Sequence, residues 1–133
     1  MKIFLDTSFI VAYTIDTDEN HPLAVELRKK GIFDNECYIS NLIINEIVTV
    51  IGNKKDLKTA IETYETIKDN CIVINEYNTS NFNEKVLNTY KKYNTKLSFT
   101  DSAIIEIMKE NKIKQLASFD KYFDKVNDIE RIH

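Results

Sequence analysis

Short apolar runs alternate along the chain with longer segments whose apolar residues recur at helical spacing. Five runs have the length and pattern of strands: Lys2–Leu5, Cys37–Ser40, Cys71–Ile74, Gln115–Phe119 and a short edge strand at Ile129–Ile132. Six segments between them are helix candidates: 9–13, 22–30, 42–51, 56–69, 79–93 and 99–110. Because alternating strands and helices favour parallel pairing, we predict an α/β three-layer sandwich. Its central sheet would be mostly parallel, with four to five strands flanked by helices.

The composition is that of a globular protein. Its 133 residues suit one domain over 1–133, and 43% apolar against 29% charged residues excludes a disordered chain. Only two glycines and one proline disfavour an all-β fold with many tight turns. No apolar run reaches the roughly 18 residues that span a bilayer, and the N-terminus does not resemble a signal peptide. We expect a soluble cytoplasmic protein without membrane association.

Charge and cysteine content exclude some kinds of site. The 18 basic and 21 acidic residues give a net charge of −3, which argues against a broad basic face for nucleic acid. Only Arg28 and Arg131 are arginines, so phosphate contacts would fall mainly to lysines. Cys37 and Cys71 are far apart and the chain has only two histidines. Buried free thiols are therefore expected rather than a redox or zinc site.

Four acidic residues interrupt apolar segments at positions that can meet in space. Asp6 and Asp120 follow the first and fourth predicted strands. Glu46 lies one turn into the helix after the second strand, and Asp101 lies in the first turn of the last helix. Parallel sheets bind ligands outside the carboxyl ends of their strands, so all four can gather at one edge. Taken singly, each has a structural explanation; for Asp101 it is a capping box with Ser98.

Gathered carboxylates need a compensating charge. Two of them about 4 Å apart repel by roughly 4 kcal/mol at an effective dielectric near 20. A hard divalent cation removes this conflict, and oxygen-only ligands suit Mg²⁺ or Mn²⁺. Such a cation also permits hydrolysis of a phosphodiester. The four acids therefore predict a metal-dependent hydrolytic site.

The segments around these acids resemble the four acidic motifs of the PIN domain family, in order and with normal spacing. They are IFLDTSFIVAY, ISNLIINEIVTVI, FTDSAIIEIM and LASFDKYFDKV, and the resemblance covers essentially the whole chain. The nearest pattern is that of stand-alone VapC-type toxins, which are metal-dependent ribonucleases, usually dimeric and inhibited by a small antitoxin. The resemblance implies Asp6, Glu46, Asp101 and Asp120 as metal ligands, with water attacking RNA.

The resemblance also suggests roles for residues near the motifs. Asp124 is a candidate fifth acid acting through water, and Ser8 or Thr7 would orient Asp6, as groups behind metal ligands commonly do. Candidate phosphate contacts are lysines on either side of the motifs: Lys54, Lys55, Lys91, Lys92 and Lys96. Each of these residues also has an ordinary explanation as a cap, a turn residue or a solvated charge. We further expect a homodimer through the helices around residues 9–30 and 56–69.

Two other classes of function compete with a nuclease. A haloacid-dehalogenase-like phosphatase also begins with a strand ending in Asp, but its second acid would stand where this chain has Ser8. A non-catalytic module that binds RNA or protein could keep the fold without the chemistry. The presence of all four acids favours the enzyme. A receiver domain and a serine hydrolase fit less well, since the paired acids of the first and the Gly-x-Ser-x-Gly elbow of the second are missing.

Overall fold

Five parallel strands form the central sheet, in the order β3-β2-β1-β4-β5. The computed structural model describes the whole chain, residues 1–133. The strands are β1 (Lys2–Leu5), β2 (Glu36–Ser40), β3 (Ile72–Ile74), β4 (Gln115–Ala117) and β5 (Glu130–Ile132). Six helices flank the sheet, so the predicted α/β sandwich with a parallel sheet is confirmed. β4 is shorter than predicted, since it ends two residues before Phe119.

The helices occupy the predicted segments with shifted ends. They are α1 (Thr7–Thr14), α2 (His21–Lys29), α3 (Asn41–Lys54), α4 (Leu57–Asn70), α5 (Phe82–Lys92) and α6 (Phe99–Glu110). Gly31, at φ 90°, follows α2 in the left-handed conformation that ends many helices. α3 runs three residues beyond its predicted end at residue 51. The helix continues through Gly52, which lies against Ala60 of α4, so tertiary packing outweighs the roughly 1 kcal/mol helix penalty of glycine.

The chain reverses its direction across the sheet after β3. From β1 it proceeds outward through β2 to β3, and then returns to the other side of β1 to form β4 and β5. Crossovers between parallel strands are right-handed as a rule. The helices of the outward connections therefore lie on one face of the sheet, and those of the returning connection from β3 to β4 lie on the other. The switch point of such a sheet lies between β1 and β4, where a crevice opens at the carboxyl ends. This is where the candidate ligands are expected.

The core lies around the central strand. Ile3, Phe4 and Leu5 of β1 are at most 2% exposed, because helices cover both faces of the sheet there. Burying an aliphatic or aromatic side chain contributes about 1.5–3 kcal/mol, so β1 is held rigidly. The residue that follows β1 therefore starts from a well-fixed backbone.

No helix combines the length and apolar composition needed to cross a membrane.

Candidate active site

Asp6 lies at the end of β1 and caps α1. Its Oδ1 accepts a hydrogen bond of 2.8 Å from the backbone N–H of Thr7, which is the N-cap contact. The side chain is buried at 6% exposure. Burial raises the pKa of Asp6 to about 6, against the opposing effect of hydrogen bonds from Ser118 and Ser8, and the charge of Asp101 raises it further. A carboxylate held this way is costly to ionise unless a cation lies beside it.

Two serine hydroxyls hold the second oxygen of Asp6. Ser118 Oγ donates to Asp6 Oδ2 at 2.6 Å, and Ser8 Oγ donates to the same atom at 3.0 Å. Ser8 also accepts from the backbone N–H of Phe119 at 3.0 Å, which ties the start of α1 to the end of β4. The hydroxyl of Thr7 is buried without a hydrogen-bond partner, so Thr7 reaches Asp6 through its backbone. Of the two predicted hydroxyls, Ser8 is the one that contacts Asp6.

Asp120 follows β4 by three residues and begins a 3-10 turn at Lys121–Lys125. Its Oδ1 accepts from the backbone N–H of Tyr122 at 3.0 Å. Its own backbone N–H donates to Ser118 Oγ at 3.0 Å. The same serine therefore contacts both Asp6 and Asp120, across the switch point between β1 and β4.

Asp101 and Glu46 are carried by α6 and α3. The predicted capping box is confirmed: the backbone N–H of Asp101 donates to Ser98 Oγ at 2.9 Å, and that of Ser98 donates to Asp101 Oδ2 at 3.1 Å. Asp101 Oδ1 makes no hydrogen bond, so capping leaves one oxygen of this side chain available. Glu46 is exposed, one turn after the N-terminus of α3.

Asp101 interacts electrostatically with each of the other three acids. Burial raises its pKa first, and the charges of Asp120 and Glu46 raise it further, against the opposing hydrogen bonds from Ser98. The charge of Asp101 in turn raises the pKa of Asp6. Repulsion of this kind acts only over short distances in solution. Asp6 and Asp120 thus meet at Ser118, and the charge of Asp101 acts on Asp6 while those of Glu46 and Asp120 act on Asp101.

The side chains of this region fit a hard divalent cation in their chemistry. All the donors are carboxylate oxygens, and Asp101 Oδ1 and Asp120 Oδ2 form no hydrogen bonds. No three Asp, Glu, His or Cys side chains of residues 1–133 are grouped closely enough to bind one ion directly. Direct binding by three of the acids therefore requires side-chain rotation, which is open to the exposed Glu46.

The sequence profile of the PIN domain matches residues 3–129. The chain belongs to the PIN domain family. No curated protein sequence is similar enough to count as a match. This family membership agrees with the parallel sheet and with the placement of the four acidic motifs described above.

Solved structures share this PIN fold over nearly their full lengths. VapC20 of Mycobacterium tuberculosis, a toxin that cleaves the sarcin–ricin loop, has a TM-score of 0.81 at 20% identity, covering 94% of this chain and 95% of that one. VapBC2 of Rickettsia felis, bound to a promoter DNA fragment, has a TM-score of 0.71 at 13% identity, covering 99% and 98%. DNA-bound VapBC of Salmonella typhimurium has a TM-score of 0.69 at 12% identity, covering 99% and 97%. At these identities the likeness concerns the fold.

The remaining candidate residues of the PIN domain are Asp124, five exposed lysines and two cysteines. Both oxygens of Asp124 accept hydrogen bonds from Arg131, and this contact holds the pKa of Asp124 below its usual range. The candidate lysines are exposed and form no ion pairs: Lys54, Lys55, Lys91, Lys92 and Lys96.

Both cysteines are free, and burial raises the pKa of each thiol, to about 12 for Cys71. These thiols are therefore poor nucleophiles.

Ser118 is the residue of this site that the sequence did not reveal. It is fully buried and contacts Asp6, Asp120 and, at 3.2 Å, the hydroxyl of Ser8. The available signal was a small hydroxyl residue two positions before Asp120, inside the apolar segment LASFD. A buried serine at the end of a strand is also common without any function, so this signal alone does not distinguish the two.

Proposed function

We propose that this PIN domain is an endoribonuclease that hydrolyses RNA phosphodiester bonds with Mg²⁺ or Mn²⁺. The observation that carries the proposal is the meeting of Asp6 and Asp120 at the hydroxyl of Ser118, at the switch point of the sheet, where the charges of Asp101 and Glu46 add to theirs. The fold it shares with the sarcin–ricin loop-cleaving toxin of M. tuberculosis supports RNA as the substrate class. We therefore propose the four acids as the ligand set.

In such a site the acids would bind the cation and the lysines would contact the RNA. A bound cation would supply an activated water and neutralise charge on the phosphate. Asp6 would be the fixed ligand, since three donors hold its two oxygens. Asp101 would extend its free Oδ1 from the first turn of α6, while Glu46 and Asp120 would complete the negative charge. Lys54, Lys55 and Lys96 are proposed contacts for the RNA backbone.

The test is cleavage of single-stranded and structured RNA by purified protein in Mn²⁺, in Mg²⁺ and in EDTA. We expect cleavage with either cation and none in EDTA. RNA binding without cleavage in all three conditions would instead indicate a non-catalytic module. Hydrolysis of small phosphate monoesters without RNA cleavage would indicate the phosphatase alternative.

Replacement of Ser118 by Ala removes the shortest hydrogen bond to Asp6. Because this bond favours the ionised form, the pKa of Asp6 rises further in the variant. We expect roughly a tenfold loss of cleavage at pH 7, the size typical for groups behind metal ligands, and a pH–rate profile displaced to higher pH. Ser80→Ala, at an exposed loop position, is the matched control. An unshifted profile for Ser118→Ala would remove Ser118 from the site.

The faces of α2 and α4 form a candidate interaction surface. A groove of about 770 Å³ runs between them, lined by Tyr13, Val25, Phe33, Thr63 and Ile67 among others. Large apolar side chains are exposed on the two helices: Leu23, Leu57, Ile61 and Tyr64. Exposed apolar patches of this kind commonly mark protein contacts. We propose that a second copy of the chain or a small antitoxin covers this surface, the latter in line with the VapBC complexes that share the fold.

We expect the isolated protein to be a homodimer through this surface. Two-fold dimers are the commonest closed assemblies. Leu57, at 73% exposure, is the most exposed apolar side chain of this surface. Light scattering at high micromolar concentration should give twice the mass of one chain, and Leu57→Lys with Ile61→Lys should give one chain. A wild-type monomer would leave the antitoxin as the remaining occupant, checked by co-purification with any small protein encoded upstream.

A further inference from the structure

Arg131 occupies both carboxylate oxygens of Asp124. Its Nε donates to Asp124 Oδ1 at 2.8 Å and its Nη2 donates to Oδ2 at 3.0 Å. This is a bidentate ion pair, the strongest geometry available to an arginine and a carboxylate. The two charges compensate each other, so Asp124 adds little negative charge to the region of the four acids. An acid in this arrangement is poorly placed to bind a metal through water.

The third donor of the guanidinium reaches β4. Arg131 Nη1 donates to the carbonyl oxygen of Ser118 at 3.1 Å, and the Arg131 side chain is only 6% exposed. On the other side of the same residue, the backbone N–H of Ser118 donates to the carbonyl of Ile132 at 3.2 Å. Both backbone polar groups of Ser118 are thus held by β5, the outermost strand of the sheet.

This backbone position directs the hydroxyl of Ser118 at two of the four acids. Ser118 Oγ donates to Asp6 Oδ2 at 2.6 Å and accepts from the backbone N–H of Asp120 at 3.0 Å. A continuous series of hydrogen bonds of 3.1 Å or less therefore runs from Asp124 through Arg131 and Ser118 to Asp6 and Asp120.

We propose that Asp124 and Arg131 are positioning residues for the nuclease site and that Asp124 is not a metal ligand. Their ion pair fixes the segment from Ser118 to the turn at 121–125, and through it the carboxylates of Asp6 and Asp120. The inference rests on the proposed function for its catalytic readout. Its structural content is that the two residues act as one unit.

The experiment compares Asp124→Asn, Arg131→Gln and the double variant. Two quantities are measured at 25 °C: the RNA cleavage rate, and the Mn²⁺ concentration at the midpoint of metal binding, followed by titration calorimetry. We expect each single variant to lose about tenfold in rate with KM unchanged, and to raise the Mn²⁺ midpoint by a similar factor. Since the pair acts as one unit, the double variant should be no worse than either single one. Asp128→Asn, an exposed acid in the same segment, should match wild type.

Other outcomes overturn the proposal in distinguishable ways. If Asp124 is a ligand, Asp124→Asn raises the Mn²⁺ midpoint while Arg131→Gln, which frees Asp124, does not. If the pair only stabilises the fold, the melting temperature in EDTA falls but the rate and the midpoint stay at wild-type values. Arg131→Lys, which keeps the charge without the fork of donors, should show the same losses and replaces Arg131→Gln if that variant does not fold.

The failure of this inference and that of the nuclease proposal are separable. If wild type cleaves no RNA but the Mn²⁺ midpoints follow the expected pattern, the positioning unit stands and the ribonuclease activity fails. If Asp101→Asn abolishes cleavage while the effects of Asp124→Asn and Arg131→Gln on the midpoint and on the rate add up in the double variant, the nuclease stands and the positioning unit fails.

Discussion

Asp101→Asn is expected to lower the rate of RNA cleavage by at least about 100-fold, which corresponds to roughly 3 kcal/mol of transition-state stabilisation. Asp101 is the acid whose charge interacts with the other three, so its loss weakens the whole region. Asparagine keeps an oxygen that can accept from the backbone N–H of Ser98, so the capping box and the start of α6 should persist. The loss should therefore arise from the missing charge.

The control for this variant is Asp69→Asn, which removes a charge from an exposed position on α4. It should cleave RNA as fast as wild type in the same Mn²⁺ buffer. Circular dichroism and melting in EDTA show whether Asp101→Asn is folded, and we expect it to melt at or above the wild-type temperature because repulsion is relieved. Equal cleavage by wild type and Asp101→Asn would identify a contaminating nuclease and remove the assignment.

The metal-free protein is expected to become less stable as the pH rises from about 4 to about 6. The pKa of Asp6 is about 6 in the fold, against 3.8 for the free side chain, because burial disfavours the charged form. In this range the folded state binds more protons than the unfolded state. The free energy of unfolding therefore falls as the pH rises from the unfolded pKa to the folded pKa. Two pKa units correspond to about 3 kcal/mol, or on the order of 10 °C in melting temperature.

Asp6→Asn and Mn²⁺ separate this effect from other titrations. Asparagine at position 6 does not ionise, so the decline in stability between pH 4 and 6 should become shallower in EDTA, and what remains comes from Asp101, whose pKa burial also raises. Asn also loses one acceptor facing Ser8 and Ser118, so the slope, not the absolute melting temperature, is the informative quantity. Asp56 and Asp124, whose pKa values are lowered, act with the opposite sign, but both are exposed.

With millimolar Mn²⁺ the sign should reverse, because the cation binds the ionised carboxylates and its stabilisation grows with pH. Melting curves in EDTA and in Mn²⁺ at pH 5, 6, 7 and 8 measure both effects. The same slope in wild type and Asp6→Asn would show that Asp6 is not the group that titrates.

The fold could be predicted because its determinants are local. The apolar run of β1 and the helical spacing of α4 or α6 each predict their element from a few neighbouring residues. Positions at strand ends and in first helical turns likewise singled out Asp6 and Asp101. The expectation that Asp120 directly follows its strand was wrong by two residues, since β4 ends at Ala117 and the hydroxyl of Ser118 bonds with Asp6.

Contacts between residues far apart in the chain could not be predicted. Ser40, at the N-cap position of α3, makes no side-chain capping bond. Instead the buried Glu76 accepts from the backbone N–H of Leu42 at 3.1 Å, from beyond β3. In the same way, the spacing of Asp124 resembles that of a ligand, and only the pairing of β4 with β5 brings Arg131 onto it.

We propose that Asp6, Glu46, Asp101 and Asp120 together hold one divalent cation. Anomalous diffraction from a crystal grown with Mn²⁺ tests it most directly. We expect a single strong peak at the carboxyl edge of the sheet, about 2.0–2.3 Å from an oxygen of Asp6 and of at least one of the other three acids. A fully ordered Mn²⁺ elsewhere, with these four carboxylates unliganded at millimolar metal, would contradict it.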